Sequence, residues 1–158
     1  MKKLTLIVLL SCSFATPASW SADFNKGVTA YQAGNYKAAL AEWRPLAQAG
    51  NARAQNFLGF MYDNGEGVLE DDLEAVKWYR LAAEQGNPKA QYGLGVMFAN
   101  GEGVTQSNVY AHMWWNIAAS NGDRQANENK AIIASQMTAQ ELSIAQSLAR
   151  ACVSKSYK

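Results

Sequence analysis

The chain has 158 residues, with 14 basic and 13 acidic side chains and a formal net charge of +1. A balance this even leaves no electrostatic footprint for nucleic acid or for an anionic membrane surface. One histidine and two cysteines are too few to assemble a His/Cys metal cluster within the chain, and no cofactor is expected.

Lys2 and Lys3 precede a short apolar run from Leu4 to Leu10. Small residues follow, with cleavage points after Ala18, Ser21 or Ala22. That is the layout of a secretory signal peptide, and its apolar part is too short to persist as a membrane anchor. We place the cut after Ser21, giving a leader over 1–21 and one mature domain over 22–158. A lipoprotein lipidated at Cys12 would need an unusually short apolar region and is the less favoured reading. The mature chain is therefore expected in the periplasm or secreted. Losing Lys2 and Lys3 leaves 12 basic against 13 acidic side chains, and Cys152 as the one remaining cysteine. No internal disulfide can then form, and Cys152, set among apolar residues of a helical pattern, is read as buried.

Every element of the mature chain reads as helix. Phe24 to Ala33 is followed by a Gly34-Asn35 turn and a helix from Tyr36 to about Ala49. The next helix opens at Asn51 or Ala52 and runs to Asp63. After the Asn64-Gly65-Glu66-Gly67 loop, Asp71 caps a helix to Gln85, with Glu74 at the capping-box position. Asn87 then caps a helix with Pro88 at its first position, which ends at Ala99. A second GEGV loop leads to a helix from Asn108 to Asn121. Asp123 opens another, and Thr138 with Glu141 makes a capping box for a last amphipathic helix to about Val153. No stretch alternates with the two-residue period of a strand.

The segment Ala52–Gly86 aligns without gaps on Pro88–Gly122, at an offset of 36 residues and with 15 of 35 positions identical. Such a period marks a solenoid, whose units bury their apolar faces against their neighbours. Ala54, Leu58 and Met61, with their copies Ala90, Leu94 and Met97, form a helical stripe expected in the core. Ala75, Ala82 and Ala83 recur as Ala111, Ala118 and Ala119 around Trp78 and Trp114, which are expected to fill the core between close helices. Gly59 and Gly95 each cost a helix about 1 kcal/mol against alanine, which suggests that a neighbouring helix crosses there.

The patterns AQxxLGxMYxxGEGVxxD and AxxWYxxAAEQG resemble the Sel-one-like repeat, a relative of the tetratricopeptide repeat. Two units, 52–86 and 88–122, match closely. A degenerate unit over 24–50 precedes them, with a hairpin turn closer to the tetratricopeptide form. Residues 123–158 depart from the pattern, since Lys130 stands where Leu58 and Leu94 do, and are read as a C-terminal cap. The resemblance implies an all-α fold: an α/α solenoid of about three tetratricopeptide-like helical hairpins plus a capping helix pair. It also implies a non-catalytic adaptor that holds another protein or peptide on its concave surface.

Positions where the two copies differ are free to carry specificity. Off the buried stripe these are Arg53, Asn56, Phe57 and Phe60 in the first copy and Lys89, Tyr92 and Val96 in the second. On the first helix of each unit they are expected to form a protein-binding face, although Phe57 and Phe60 could equally pack on an adjacent helix. Exposed Tyr31 and Tyr92 would instead suit a carbohydrate or peptidoglycan. No catalytic residue is assigned. His112 is read as a surface or groove residue, and Gly-x-Ser-x-Gly is absent. A cysteine-rich branch of the repeat family binds β-lactams, but this chain lacks that branch's disulfides, so a hydrolase of β-lactam-type substrates is the weakest reading. The GEG loops follow a helix rather than a strand and lack a third glycine, so turn geometry accounts for them. The acidic run Glu66, Glu70, Asp71, Asp72 and Glu74 does not have calcium-loop spacing and is read as a solvated face. No metal, nucleic-acid or stable membrane partner is expected.

Overall fold

The computed structural model describes residues 22–156, with side chains to Ser154. The expected leader over 1–21, with Cys12 and the expected cleavage points after Ala18 and Ser21, lies outside the described residues. Among these there are eight helices and no strand. They are α1 (Phe24–Gln32), α2 (Tyr36–Gln48), α3 (Ala52–Asn64), α4 (Asp72–Glu84), α5 (Pro88–Asn100), α6 (Asn108–Ser120), α7 (Arg124–Ala134) and α8 (Ala139–Ser156).

Short polar side chains set the starts. Asp23, Asn35, Asn51, Asp71, Asn87, Ser107 and Asp123 each accept a hydrogen bond from an amide in the first turn of the helix that follows. Thr138 and Glu141 form a complete capping box: the Thr138 amide donates to Glu141 Oε2 at 2.8 Å, and the Glu141 amide donates to Thr138 Oγ1 at 3.2 Å. At α4 the expected box is only half made. The Glu74 amide donates to Asp71 Oδ1, but the Glu74 carboxylate pairs with Lys77, and the Asp71 amide donates to the Tyr62 carbonyl instead.

Successive helices pack antiparallel, α1 on α2 through to α6 on α7, and α3 and α5 also touch along one side. Each first helix (α1, α3, α5, α7) thus lies beside the next first helix, while α2, α4 and α6 form a second layer. The expected stripe is at the centre, with Ala54, Leu58, Met61, Ala90, Leu94 and Met97 completely buried. The core is three linked clusters, each spanning the join between neighbouring units.

Helix approach is closest where an aromatic ring faces a glycine. A Cβ on Gly59 would lie 2.6 Å from Tyr79 Cδ1, and Gly27 and Gly95 face the indoles of Trp43 and Trp115 in the same way. Trp43, Tyr79 and Trp115 stand 36 residues apart. Two of these rings repeat a polar contact as well: the Trp43 indole N–H donates to the Phe24 carbonyl at 3.1 Å and that of Trp115 to the Tyr92 carbonyl at 3.2 Å. The expected core tryptophans lie one position earlier and fare unequally. Trp114 is buried, whereas Trp78 is half-buried against the α1–α3 cluster, so its assignment as a core filler is corrected. The helix turns the residue after it, Tyr79, toward α3.

Buried glutamines tie unit to unit. Gln55 donates to the Ala47 carbonyl at 3.0 Å and accepts from Gln85 at 2.7 Å. One repeat later, Gln91 donates to the Ala83 carbonyl at 3.1 Å and accepts from Asn121 at 2.9 Å. The GEG loops do the same from the other end. Gly67 has φ +74°, and a Cβ on it would lie 2.6 Å from Tyr36 Cβ in the preceding unit; Gly103, at φ +63°, sits as closely on Asp72. Both positions need glycine for the backbone conformation and for the close approach.

At the C-terminus the repeat continues further than expected. Asp123 caps α7 in the place of Asn51 and Asn87, and Ala126 and Ile133 are buried in the places of Ala90 and Met97. Lys130 keeps its polar end satisfied by donating to Asn116 Oδ1 at 3.3 Å. The second helix of this unit breaks the pattern. α8 packs on α6 and makes little contact with α7, so the C-terminal helices are not a hairpin. Ala149, Leu148 and Cys152 of α8 join the α4–α6 cluster, with Cys152 half-buried there.

Candidate functional site

The first helices leave a groove of about 520 Å³ between them, bounded by α1, α3, α5 and the start of α7 and floored by one residue of α4. Asn56, Phe57, Phe60, Lys89, Tyr92 and Val96 all line it. These are six of the seven residues expected on this face. They converge because positions 3 to 4 apart on α3 and α5 point to the side opposite the buried stripe.

Their roles differ. Phe60 is 39% exposed and presents its ring to the groove. Phe57 stacks on Trp43, with ring centroids 4.3 Å apart, and also touches Phe24 and Tyr31, so one side of it packs the fold while the other lines the groove. Tyr92 is half-buried, its hydroxyl accepting from Asn129 at 3.4 Å. Lys89 forms an ion pair with the chain's own Asp123 at 2.9 Å. Burial pushes the Asp123 carboxyl up, but the Ala126 amide and the Lys89 ammonium outweigh it and hold the group below the usual carboxylate range. Arg53 does not line the groove. Its guanidinium lies 4.1 Å from the centre of the Phe24 ring, because α1 brings that ring over the first turn of α3.

Five further residues line the groove: Tyr31, Asp63, Tyr79, Gly93 and Gln125. Gly93 is the counterpart of Phe57, and the missing side chain deepens the groove down to the Tyr79 ring. Two tyrosine hydroxyls there hold carboxylates. Tyr31 donates to Glu66 Oε2 at 2.6 Å and Tyr79 to Asp63 Oδ2 at 3.2 Å. Burial and the adjacent carboxylate push both phenols well above their ordinary range. Asp63 is itself pushed up, first by burial and then by Glu102, Asp72 and Glu70, against the Tyr79 hydrogen bond, which pulls it down. The 36-residue spacing of Trp43, Tyr79 and Trp115 was a legible signal for the groove floor. Asp63 carried none, because its copy is Ala99.

His112 is not on the surface or in the groove, as expected from the sequence, but buried in α6 with Nδ1 lacking a hydrogen-bond partner among the described residues. Burial, and secondarily the Lys130 charge, lower its pKa. It has no access to the groove. Among the described residues no group of three or more His, Cys, Asp or Glu side chains is placed to hold a metal, and no helix is long and apolar enough to cross a membrane.

Residues 52–87 and 88–123 each match the Sel1 repeat family. Among solved structures the fold is similar to c5321, a protective antigen present in uropathogenic Escherichia coli strains and displaying an SLR fold. That likeness has a TM-score of 0.80 and 32% identity, and it covers 83% of this chain and 29% of c5321. A Sel1 repeat protein from Oxalobacter formigenes is similar with a TM-score of 0.67 and 32% identity, over 70% of this chain and 46% of the other. The chain therefore spans less than half the length of either. None of the curated proteins matches it. Two repeats that fit the family, in the fold of its solved members, make this chain a Sel1-repeat protein.

Proposed function

We propose that the mature chain is an exported, non-catalytic scaffold that holds a segment of another protein in the groove across its first helices. Sel1 repeats typically serve as scaffolds for protein–protein interaction. The observation that carries the reading to this surface is the groove itself. At about 520 Å³ it has the size of a ligand site, and Phe60, 39% exposed, and Val96 give it an apolar lining. The layout of residues 1–21 supports export to the periplasm or beyond.

A randomised linear peptide library panned against the chain from Ala22 tests this reading. The expected binders lose at least about tenfold in affinity to Phe60→Glu/Asn56→Arg, since hot spots sit at the apolar centre of an interface. Circular dichroism would verify that this variant stays folded. Binders indifferent to those substitutions would move the site elsewhere, and groove-dependent retention of peptidoglycan fragments in place of peptides would promote the carbohydrate reading. Intact mass of the protein recovered from a periplasmic extract, expected to begin at Ala22, tests the leader.

A further inference from the structure

The groove is polarised in charge. Asp63 lies in the last turn of α3 and Lys89 in the first turn of α5, and these neighbouring helices run the same way across the stack. The ten residues separating the two equivalent positions put the charges on opposite edges, about 15 Å apart at 1.5 Å per residue. The cationic edge is already satisfied, because Lys89 is paired with the buried carboxylate of Asp123. The anionic edge is not. Neither ion pair among the described residues, Lys77–Glu74 or Lys89–Asp123, involves Asp63 or Glu66.

Both carboxylates are nonetheless held in place. Tyr79 fixes Asp63 through Oδ2 and Tyr31 fixes Glu66 through Oε2, while Asp63 Oδ1 and Glu66 Oε1 accept no hydrogen bond from the described residues. Tyr31, Tyr79 and Asp63 line the groove, whereas Glu66 lies outside its lining, behind the Tyr31 hydroxyl. The carbonyl end of α3 adds partial negative charge at the same edge. Asp63, fixed by Tyr79, in the field of Glu102, Asp72 and Glu70, and sharing the groove with the rings of Tyr31 and Phe60, is complementary to a cation carried on an apolar stem.

On the reading that the groove is the binding site, we propose that it recognises a basic side chain of the partner segment. That side chain sits on Asp63 and against the rings of the groove, and flanking apolar residues of the segment lie on Phe60 and Val96. Arginine suits the site better than lysine, since a planar guanidinium can hydrogen-bond a carboxylate and stack on a ring at once. The groove volume exceeds one side chain, which leaves room for those apolar neighbours.

The groove-dependent peptides from the panning above decide the matter. One position is expected to be enriched in arginine or lysine. Replacing that residue by its neutral isostere, citrulline or acetyl-lysine, is expected to weaken binding to the unmodified protein about tenfold or more. Asp63→Asn, which keeps an acceptor for Tyr79, should cause a similar loss, and the two changes together should cost little more than either alone. Affinity should also fall as salt is raised. Groove-dependent peptides with no basic position, or an isostere that binds as well as the parent, would overturn the proposal and leave the groove as the binding site. Peptides that ignore the Phe60 and Asn56 substitutions would overturn the groove reading beneath it.

Discussion

His112 shows how much one residue's surroundings decide. Its copy in the first repeat is Val76, and both are buried on the same face of the second helix. An imidazole in that place stays neutral, because burial, and then the nearby Lys130, disfavour the charged form. The folded pKa therefore lies below the ordinary 6.5, and the unfolded chain binds the proton first. Stability is full above pH 6.5 and falls as the pH drops from there toward the folded pKa. His112→Val is expected to flatten that part of the pH profile, which thermal melts of both proteins between pH 7.5 and about 4.5 would read. Parallel profiles would show that the imidazole is solvated. The depressed Asp123 carboxyl acts only lower on the scale, where falling pH removes the stabilisation that the Ala126 amide and the pairing with Lys89 supply.

Pairs of helices are held by a device repeated in each unit, a glycine on the first helix against a ring on the second. Gly59 and Tyr79, Gly95 and Trp115, and Gly27 and Trp43 are the instances. Helix propensity by itself would favour alanine at Gly59 by about 1 kcal/mol. The Tyr79 ring is buried and anchored on Asp63, so it has no room to retreat from a new methyl group. Gly59→Ala is expected to be net destabilising by about 1–2 kcal/mol, as overpacking in a close-packed core is, measured as a shift of the urea midpoint. An unchanged or raised midpoint would mean that the helices can separate cheaply. The glycines could be read from the sequence as crossing points, since a repeated cost implies a repeated contact. Which ring filled the crossing could not, because Trp78 and Tyr79 are adjacent and only the rotation of α4 about its axis decides between them.

The whole molecule is a stack whose three apolar clusters each join neighbouring units, so its stability is close to a sum of local terms. α8 departs from the stack and covers the second layer at α6, where Ala149 and Leu148 close the α4–α6 cluster over Trp114. Ending the chain after Met137 would uncover that surface. It is expected to speed amide exchange in α5 and α6 by about tenfold or more, while α1–α3 keep their protection. Uniform loss of protection would show instead that the stack unfolds as a single unit.

The sequence by itself determined the all-helical architecture, the helix starts, the buried stripes and six of the groove's lining residues. All of these are local or periodic: a capping side chain acts within one turn, a stripe follows from 3.6 residues per turn, and a 36-residue repeat places equivalent positions on one face. Only the tertiary structure decided that Arg53 lies on Phe24 outside the groove, that Lys89 is consumed by Asp123, and that His112 is buried. It alone also showed that α8 turns away from α7 and that Asp63 is held by Tyr79. Each of these depends on a contact between residues brought together from different helices. No period in the chain records such contacts, because their distance is set by how the helices rotate and stack.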